Sequence, residues 1–482
     1  MAGKLLHFFD TKHMLPKSLE ASANDLPAGR TMYKEYIRIA FPSVCEMVLI
    51  SLIGMIDTVM VSGIGTDAVA AVGLVGQPRM IMLSLFFALN TGITAVVARR
   101  KGENRPLEAN AAVRTAFVMI IFLSAILMGV LLPLSSGLMA FAGAEPGRTL
   151  EPAAEYFNIL GYVLPFQAMS MAMCAAQRGV GNTKLTMQVN ITSNLVNVLF
   201  NYLLINGIGP FPRLGVKGAA IATAIGLFVG FLLSLRAMFH SHNGFLHLSR
   251  HDDWRPDLES GKALLKVGSS AMVEQLAMRI GFFAYAKIVA GLGTDAFAAH
   301  QICGQFLTLS FSFADGLGIA GTSLVGQMLG KQRRDLAHVY GSLAQRFSLS
   351  IGVLLAAVCI LLRDPLVSLF LSMDESGVVR SMAVQTMVVL GLIQPMQMLS
   401  VVASGALRGA GDVKYTARTM LLTVTLIRPI IAIIGVYVGG TLLGRSDIAL
   451  VAAWCATLCD MSVRMVLMLR RYNSAKWHNI RV

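Results

Sequence analysis

Residues 63–77 read GIGTDAVAAVGLVGQ and residues 291–305 read GLGTDAFAAHQICGQ, so the chain writes nearly one string twice, 228 positions apart. A second pair recurs at almost the same offset. AAQRGVGNTK at 175–184 matches GALRGAGDVK at 405–414, with Arg178, Gly179, Gly181 and Lys184 answering to Arg408, Gly409, Gly411 and Lys414, 230 positions apart. Two independent matches at a common spacing indicate an internal duplication of about 230 residues.

The solvent of this chain is mainly not water. Of 482 residues 55% are hydrophobic and 14% charged. Apolar runs of about 20 residues, enough to cross roughly 30 Å of hydrocarbon as a helix, recur along the whole length. Strand-like alternation is absent, which argues against a membrane β-barrel. Twelve spanning helices are expected near 36–61, 68–98, 112–140, 152–176, 185–206, 217–239, 262–289, 297–326, 338–362, 378–406, 415–439 and 447–470. Six fit in each repeat, so both halves enter the membrane from the same side. The expected fold is an all-α polytopic membrane protein with twelve transmembrane helices in two parallel six-helix repeats. Its parts would be an amino-terminal segment (1–35), an amino-terminal lobe (36–239), a linker (240–261), a carboxy-terminal lobe (262–470) and a tail (471–482). Two such lobes facing one another make a cleft that opens to alternate sides as one rocks against the other, the geometry of a transporter.

The formal net charge of +14 is a topology signal rather than a nucleic-acid footprint. Basic residues cluster after helices 2, 4, 6, 8 and 10 and at the end of the chain, as in Arg99, Arg100, Lys101 and Arg105 or Arg470, Arg471 and Lys476. The intervening loops are poorer: Asp67 follows helix 1, Arg148 helix 3 and Asp295 helix 7. By the positive-inside rule both termini are cytoplasmic. The first forty residues hold no apolar core bounded by a cleavage site, so no removable signal peptide is expected. The linker, including its histidines, reads as a solvated cytoplasmic connector. The six cysteines fall inside predicted helices without a CxxC pair and predict neither disulfides nor zinc.

An ionisable residue near the bilayer centre costs at least about 2.5–3.5 kcal/mol on insertion scales, so each one kept there needs a reason. Glu46 in helix 1 and Glu274 in helix 7 lie 228 positions apart and are twins under the repeat, whereas Asp57 aligns with Tyr285. The symmetry has broken at Asp57. Asp460 and Arg464 are four apart and are read as a structural pair. Asp315 in helix 8 has no basic neighbour in sequence. Asn194, Asn197 and Asn201 recur at spacings of three and four, a polar stripe on helix 5 that either bonds between helices or surrounds a protonated acid. With Gln77, Gln305 and Asp315, Glu46 is a candidate substrate-cavity residue. Many of the 28 methionines are packing filler, but flexible, polarizable side chains also suit a cavity that accepts many shapes.

The motifs IDTVMVSGIG (56–65), LGVKGAAIAT (214–223), GTDAFAAHQ (293–301) and LRGAGDVKYTAR (407–418) resemble the multidrug and toxic compound extrusion family, particularly its prokaryotic members, across all twelve helices. The resemblance implies a cytoplasmic-membrane antiporter that exports cationic or amphipathic compounds while H+ or Na+ enters, with no other cofactor. Partners would be small-molecule substrates and membrane lipid, without nucleic acid, for a monomer. Carried over by position, the cation-coupling residues would be Asp57 with Asn197, Asn201 and Thr223 in the amino-terminal lobe, and Glu274 and Asp412 in the other. This chain departs from the pattern at Asn201-Tyr202, where some prokaryotic members carry aspartate then proline. Asp315 lies outside the pattern. The competing transport reading is a flippase for a lipid-linked oligosaccharide, for which Arg79, Arg279, Lys287, Arg346 and Arg428 would supply the basic residues. An enzyme is not expected: the chain has no HExxH, no GxSxG and no Walker loop.

Overall fold

The computed structural model describes residues 10–16, 19, 25–240, 244–249, 252–370, 377–442 and 444–480, and among these there is no β-strand. Twelve long helices follow the expected order. They are α1 (Gly29–Ser62), α2 (Thr66–Gly102), α3 (Pro106–Leu131), α4 (Leu150–Gly179), α5 (Thr183–Asn206), α6 (Gly215–His240), α7 (Leu258–Ala290), α8 (Thr294–Gly330), α9 (Arg334–Leu361), α10 (Gly377–Gly409), α11, which begins as Val413–Met420, and α12 (Ser446–Asn473). α11 continues through π-helical turns at Leu421–Ile427 and Tyr437–Leu442 that flank Arg428–Val436. Ten of the twelve are long and apolar enough to cross a membrane by composition alone. The other two, α5 and α7, have the length, 24 and 33 residues. They miss on polarity because α5 carries the asparagine stripe and α7 carries Glu274, Arg279 and Lys287.

Some expected boundaries move. Helix 3 was expected to reach residue 140 but stops at Leu131, because Pro133 cannot donate the next helical hydrogen bond. A separate short helix, Ser135–Phe141, follows. α7 begins at Leu258 instead of 262, which shortens the linker. The linker is not wholly solvated. Asp252 pairs with Arg114 at 3.0 Å, the His247 N–H donates to Asn110 Oδ1, and Trp254 stacks on Phe117. Linker residues 241–243 and 250–251 lie outside the described residues, as do the tail residues 481 and 482 and much of the segment before residue 25.

The chain divides into two compact units, Met1–Val44 with Val273–Val482, and Cys45–Met272. In the first, Tyr36 of α1 donates to the Leu317 carbonyl and stacks on Phe347. Gly316 lets the α1 backbone approach: a Cβ there would sit 2.5 Å from Val44 Cα. In the second, Gly92 of α2 does the same for α7, since its Cβ would lie 2.9 Å from the Leu264 carbonyl oxygen.

The recurring Arg-Gly-x-Gly string is a packing device used once per unit. A Cβ on Gly179 at the end of α4 would lie 2.9 Å from the Thr94 carbonyl oxygen of α2, and one on Gly409 at the end of α10 would collide with the Thr322 carbonyl oxygen of α8. Across the same contacts Thr94 donates to the Ala175 carbonyl and Thr322 to the Gly405 carbonyl, at 3.1 and 2.7 Å. Small residues that let backbones touch, with a hydroxyl bond across, are the usual glue of helices in lipid. The second glycines, Gly181 and Gly411, both stand at φ +86°, a left-handed conformation that closes each helix.

Leucine at Gly409 or Gly179 should therefore overpack its contact and destabilise by about 1–3 kcal/mol or more. Gly129→Leu on α3, where nothing lies within 4 Å, should leave the melting temperature of the purified protein nearly unchanged.

Candidate coupling site and the acids around it

In the second unit five helices converge on a cavity of about 170 Å³ lined by Asp57 and Thr58 of α1, Val72 and Gly73 of α2, Tyr156 of α4, Asn201 of α5 and Thr223 of α6, among others. Asp57 is half-buried, while Asn197 and Asn201 are buried. The Asn201 amide donates to Asp57 Oδ1 at 2.9 Å. With its nitrogen turned toward the acid, the Asn197 amide reaches both Asp57 oxygens at 3.1 and 3.0 Å. In that orientation its oxygen accepts from the Thr223 N–H and hydroxyl, each at 3.1 Å. The 3.6-residue period places Asn197 and Asn201 one turn apart on one face of α5, which puts both within reach of one carboxylate. Two amides hold the acid, and no cation among the described residues does. Asn201 Oδ1 is buried without a partner, a second oxygen beside the acid.

Four of the six coupling residues expected from the sequence thus come together: Asp57, Asn197, Asn201 and Thr223. The other two do not share the cavity. Glu274 belongs to the first unit, where Arg408 donates to Oε1 at 3.0 Å and Thr416 to Oε2 at 3.0 Å. Asp412 precedes the first turn of α11 and pairs with Arg471 at 2.6 Å.

Glu46 has the surroundings of its twin. Arg178 donates to Oε1 at 3.1 Å, Thr186 to Oε2 at 2.8 Å, and Asn190 adds a bond of 2.6 Å. Arg178 and Arg408, like Thr186 and Thr416, are 230 positions apart, so the duplication copied a whole Glu–Arg–Thr trio. The arginine of each Arg-Gly string neutralises the glutamate at the start of its repeat. Both carboxylates are essentially inaccessible, at 0 and 2% exposure. Glu46 is therefore engaged within the protein rather than open to a cavity, whereas Gln77, Gln305 and Asp315 are exposed and lie outside the Asp57 cavity.

Asp460 pairs with Arg464 at 2.8 Å, as its spacing suggested, and with Arg428 of α11 as well, at 2.5 Å. Arg428 also stacks over Phe282 and Tyr285. The pairs from Arg428 and Arg408 are long-range in sequence, so single-helix spacing had no signal for them. Tyr156 was likewise invisible to sequence reasoning, being one aromatic among several on an apolar helix.

Duplicated six-helix halves, membrane-length helices and a polar cavity inside one half define a polytopic membrane transporter. The chain belongs to the MatE family, whose model matches residues 42–203 and 270–434, one segment in each half. It is 28% identical over 475 residues to the probable multidrug resistance protein NorM of Thermotoga maritima, covering 97% of this chain and 96% of that one. It is 25% identical over 378 residues to the multidrug resistance protein NorM of Vibrio cholerae, covering 78% and 81%. In fold it is similar to a solved outward-facing multidrug resistance MATE family transporter of the MOP superfamily, with a TM-score of 0.83 at 21% identity over 92% of this chain and 97% of the other. A MOP superfamily transporter from Pyrococcus furiosus gives the same figures.

Removing Arg408 should leave Glu274 buried and unpaired, a loss of about 3–5 kcal/mol. Arg408→Ala should lower the melting temperature sharply, and Glu274→Gln in the same chain should recover part of the loss. An unchanged melting temperature for Arg408→Ala would show that the trio is not structural.

Proposed function

We propose that this transporter exports cationic or amphipathic organic compounds in exchange for H+ or Na+, with Asp57 as the carboxylate that binds the coupling ion. The observation that carries this reading is a half-buried acid at a cavity, held by the neutral amides of Asn197 and Asn201 and, among the described residues, by no fixed cation. Such an acid is stable at membrane depth only when something mobile neutralises it. A proton would sit on the carboxylate. A sodium ion would find the carboxylate and the free Asn201 oxygen, hard ligands of the kind alkali cations favour. If substrate and coupling ion need incompatible arrangements of α1 around Asp57, each excludes the other, and exclusion across two access states is antiport.

Helix α1 has the means to respond. Gly54 lies one turn before Asp57 with open space about it, and Gly63 follows at the helix end. Neutralising Asp57 would shift this segment and reshape the cavity. The multidrug resistance names of the NorM relatives support the substrate class. The alternation of basic loops supports a cytoplasmic-membrane protein with both termini cytoplasmic. A flippase for lipid-linked oligosaccharides is less well supported: Arg428, one of the five basic residues it would call on, is already committed to Asp460.

The test is ethidium transport into everted vesicles with sodium and pH gradients imposed separately. Wild-type protein should respond to at least one gradient. Asp57→Asn should lose that response by about tenfold or more, while Glu274→Gln should retain it to the extent that the protein folds. Gradient-driven transport by Asp57→Asn at the wild-type rate would refute the assignment.

A further inference from the structure

Asp315 sits past the middle of α8, on the helix face that also carries Gln301, Gln305, Thr308 and Ser312. The spacings of 4, 3, 4 and 3 put all five side chains in one row. At 1.5 Å per residue the row runs about 21 Å, most of the hydrocarbon thickness. Gln301, Gln305, Thr308 and Asp315 are exposed and Ser312 is partly so.

The same unit shows what a lipid-facing surface looks like. The exposed face of α7 is Val273, Leu276, Ile280 and Phe283, and α11 exposes Leu422, Leu426, Ile430 and Ile433. Among the described residues, α8 exposes no large hydrophobic side chain. A row of amides, hydroxyls and a carboxylate would not be left against acyl chains, so it faces water.

The hydroxyls of Thr308 and Ser312 are spent on the helix's own carbonyls, Gly304 and Thr308. Asp315 makes no ion pair among the described residues. Arg408 and Glu274, the charged groups near it, pair with each other at 3.0 Å. The row is also asymmetric. The positions 228 earlier on α2 are Gly73, Gln77, Met80, Ser84 and Phe87, so one glutamine and the serine survive and the acid becomes phenylalanine.

We propose that this face of α8 is a recognition surface for organic cations, with Asp315 as the anionic contact that selects a positively charged group. The assignment rests on the export reading and deepens it by giving substrate charge selection to a different acid from the coupling one. Gln301 and Gln305 would offer hydrogen bonds along the path, and a water-lined row with one charge would favour diffuse cations over compact, strongly hydrated ones.

Equilibrium binding of tetraphenylphosphonium to the purified full chain tests this. Asp315→Asn should raise its Kd by about tenfold, and Asp315→Glu should restore most of the affinity. A Kd within twofold of wild type for Asp315→Asn, or equal weakening by Asn and Glu, overturns the proposal. Should Asp315→Asn fail to fold, Thr308→Cys in an otherwise cysteine-free chain decides. A membrane-impermeant maleimide should label it, and tetraphenylphosphonium should protect it. No labelling, or no protection, overturns the proposal. If wild type binds tetraphenylphosphonium with Asp315 dependence but no ion gradient drives its export, the export reading falls and this surface stands.

Discussion

A carboxylate at membrane depth must be neutralised, and what neutralises each one sorts the acids of this chain by role. Insertion costs of about 2.5–3.5 kcal/mol per charge leave few to be kept without reason. Glu46 and Glu274 each take an arginine and a threonine from neighbouring helices. Asp460 takes two arginines, and Asp412 takes Arg471 at the end of α12. These pairs fix helices in place. Among the described residues Asp57 and Asp315 have no such partner, and a mobile positive charge is their natural complement.

The duplication explains why the first group is fixed. A Glu–Arg–Thr trio and a glycine contact between the second and fourth helices occur once per repeat, at offsets of 228 and 230. An interaction retained twice belongs to the architecture that both halves share. Where the halves differ, they have specialised. Asp57 faces amides in one unit, while its counterpart Tyr285 packs against His300 and the buried Arg428 in the other. The fixed guanidinium there already supplies the positive charge that Asp57 lacks. Asp315 reverses the bias, since its counterpart is Phe87. One unit thus holds an acid in a cavity, bound by two amides, and the other an acid on an exposed polar row.

Much of this was legible in the sequence. Apolar runs and paired strings gave twelve helices in two repeats, and the failure of the repeat at Asp57 singled out the acid that the cavity encloses. The asparagine spacing on α5 left open whether the stripe bonds between helices or surrounds an acid; Asn197 and Asn201 reach Asp57, while Asn194 donates to the Asn190 carbonyl of its own helix. What stayed hidden was long-range. Nothing in helical spacing predicts that Arg178 reaches Glu46 or that Arg428 joins Asp460, because such pairs depend on how separate helices pack. Local signals also fell short where proline or π turns reset a helix, as after Leu131 and along α11. The row on α8 was readable as a period, but its meaning depends on exposure, which a sequence does not carry.

The central claim is that one acid, Asp57, carries the coupling ion while the ion-paired acids Glu46 and Glu274 do not. The most direct measurement is ion release from purified protein on addition of tetraphenylphosphonium, read with a pH dye in weak buffer and by displacement of radioactive sodium. Release should be seen in wild type and in folded Glu274→Gln, and be lost in Asp57→Asn. Undiminished release from Asp57→Asn would contradict the account.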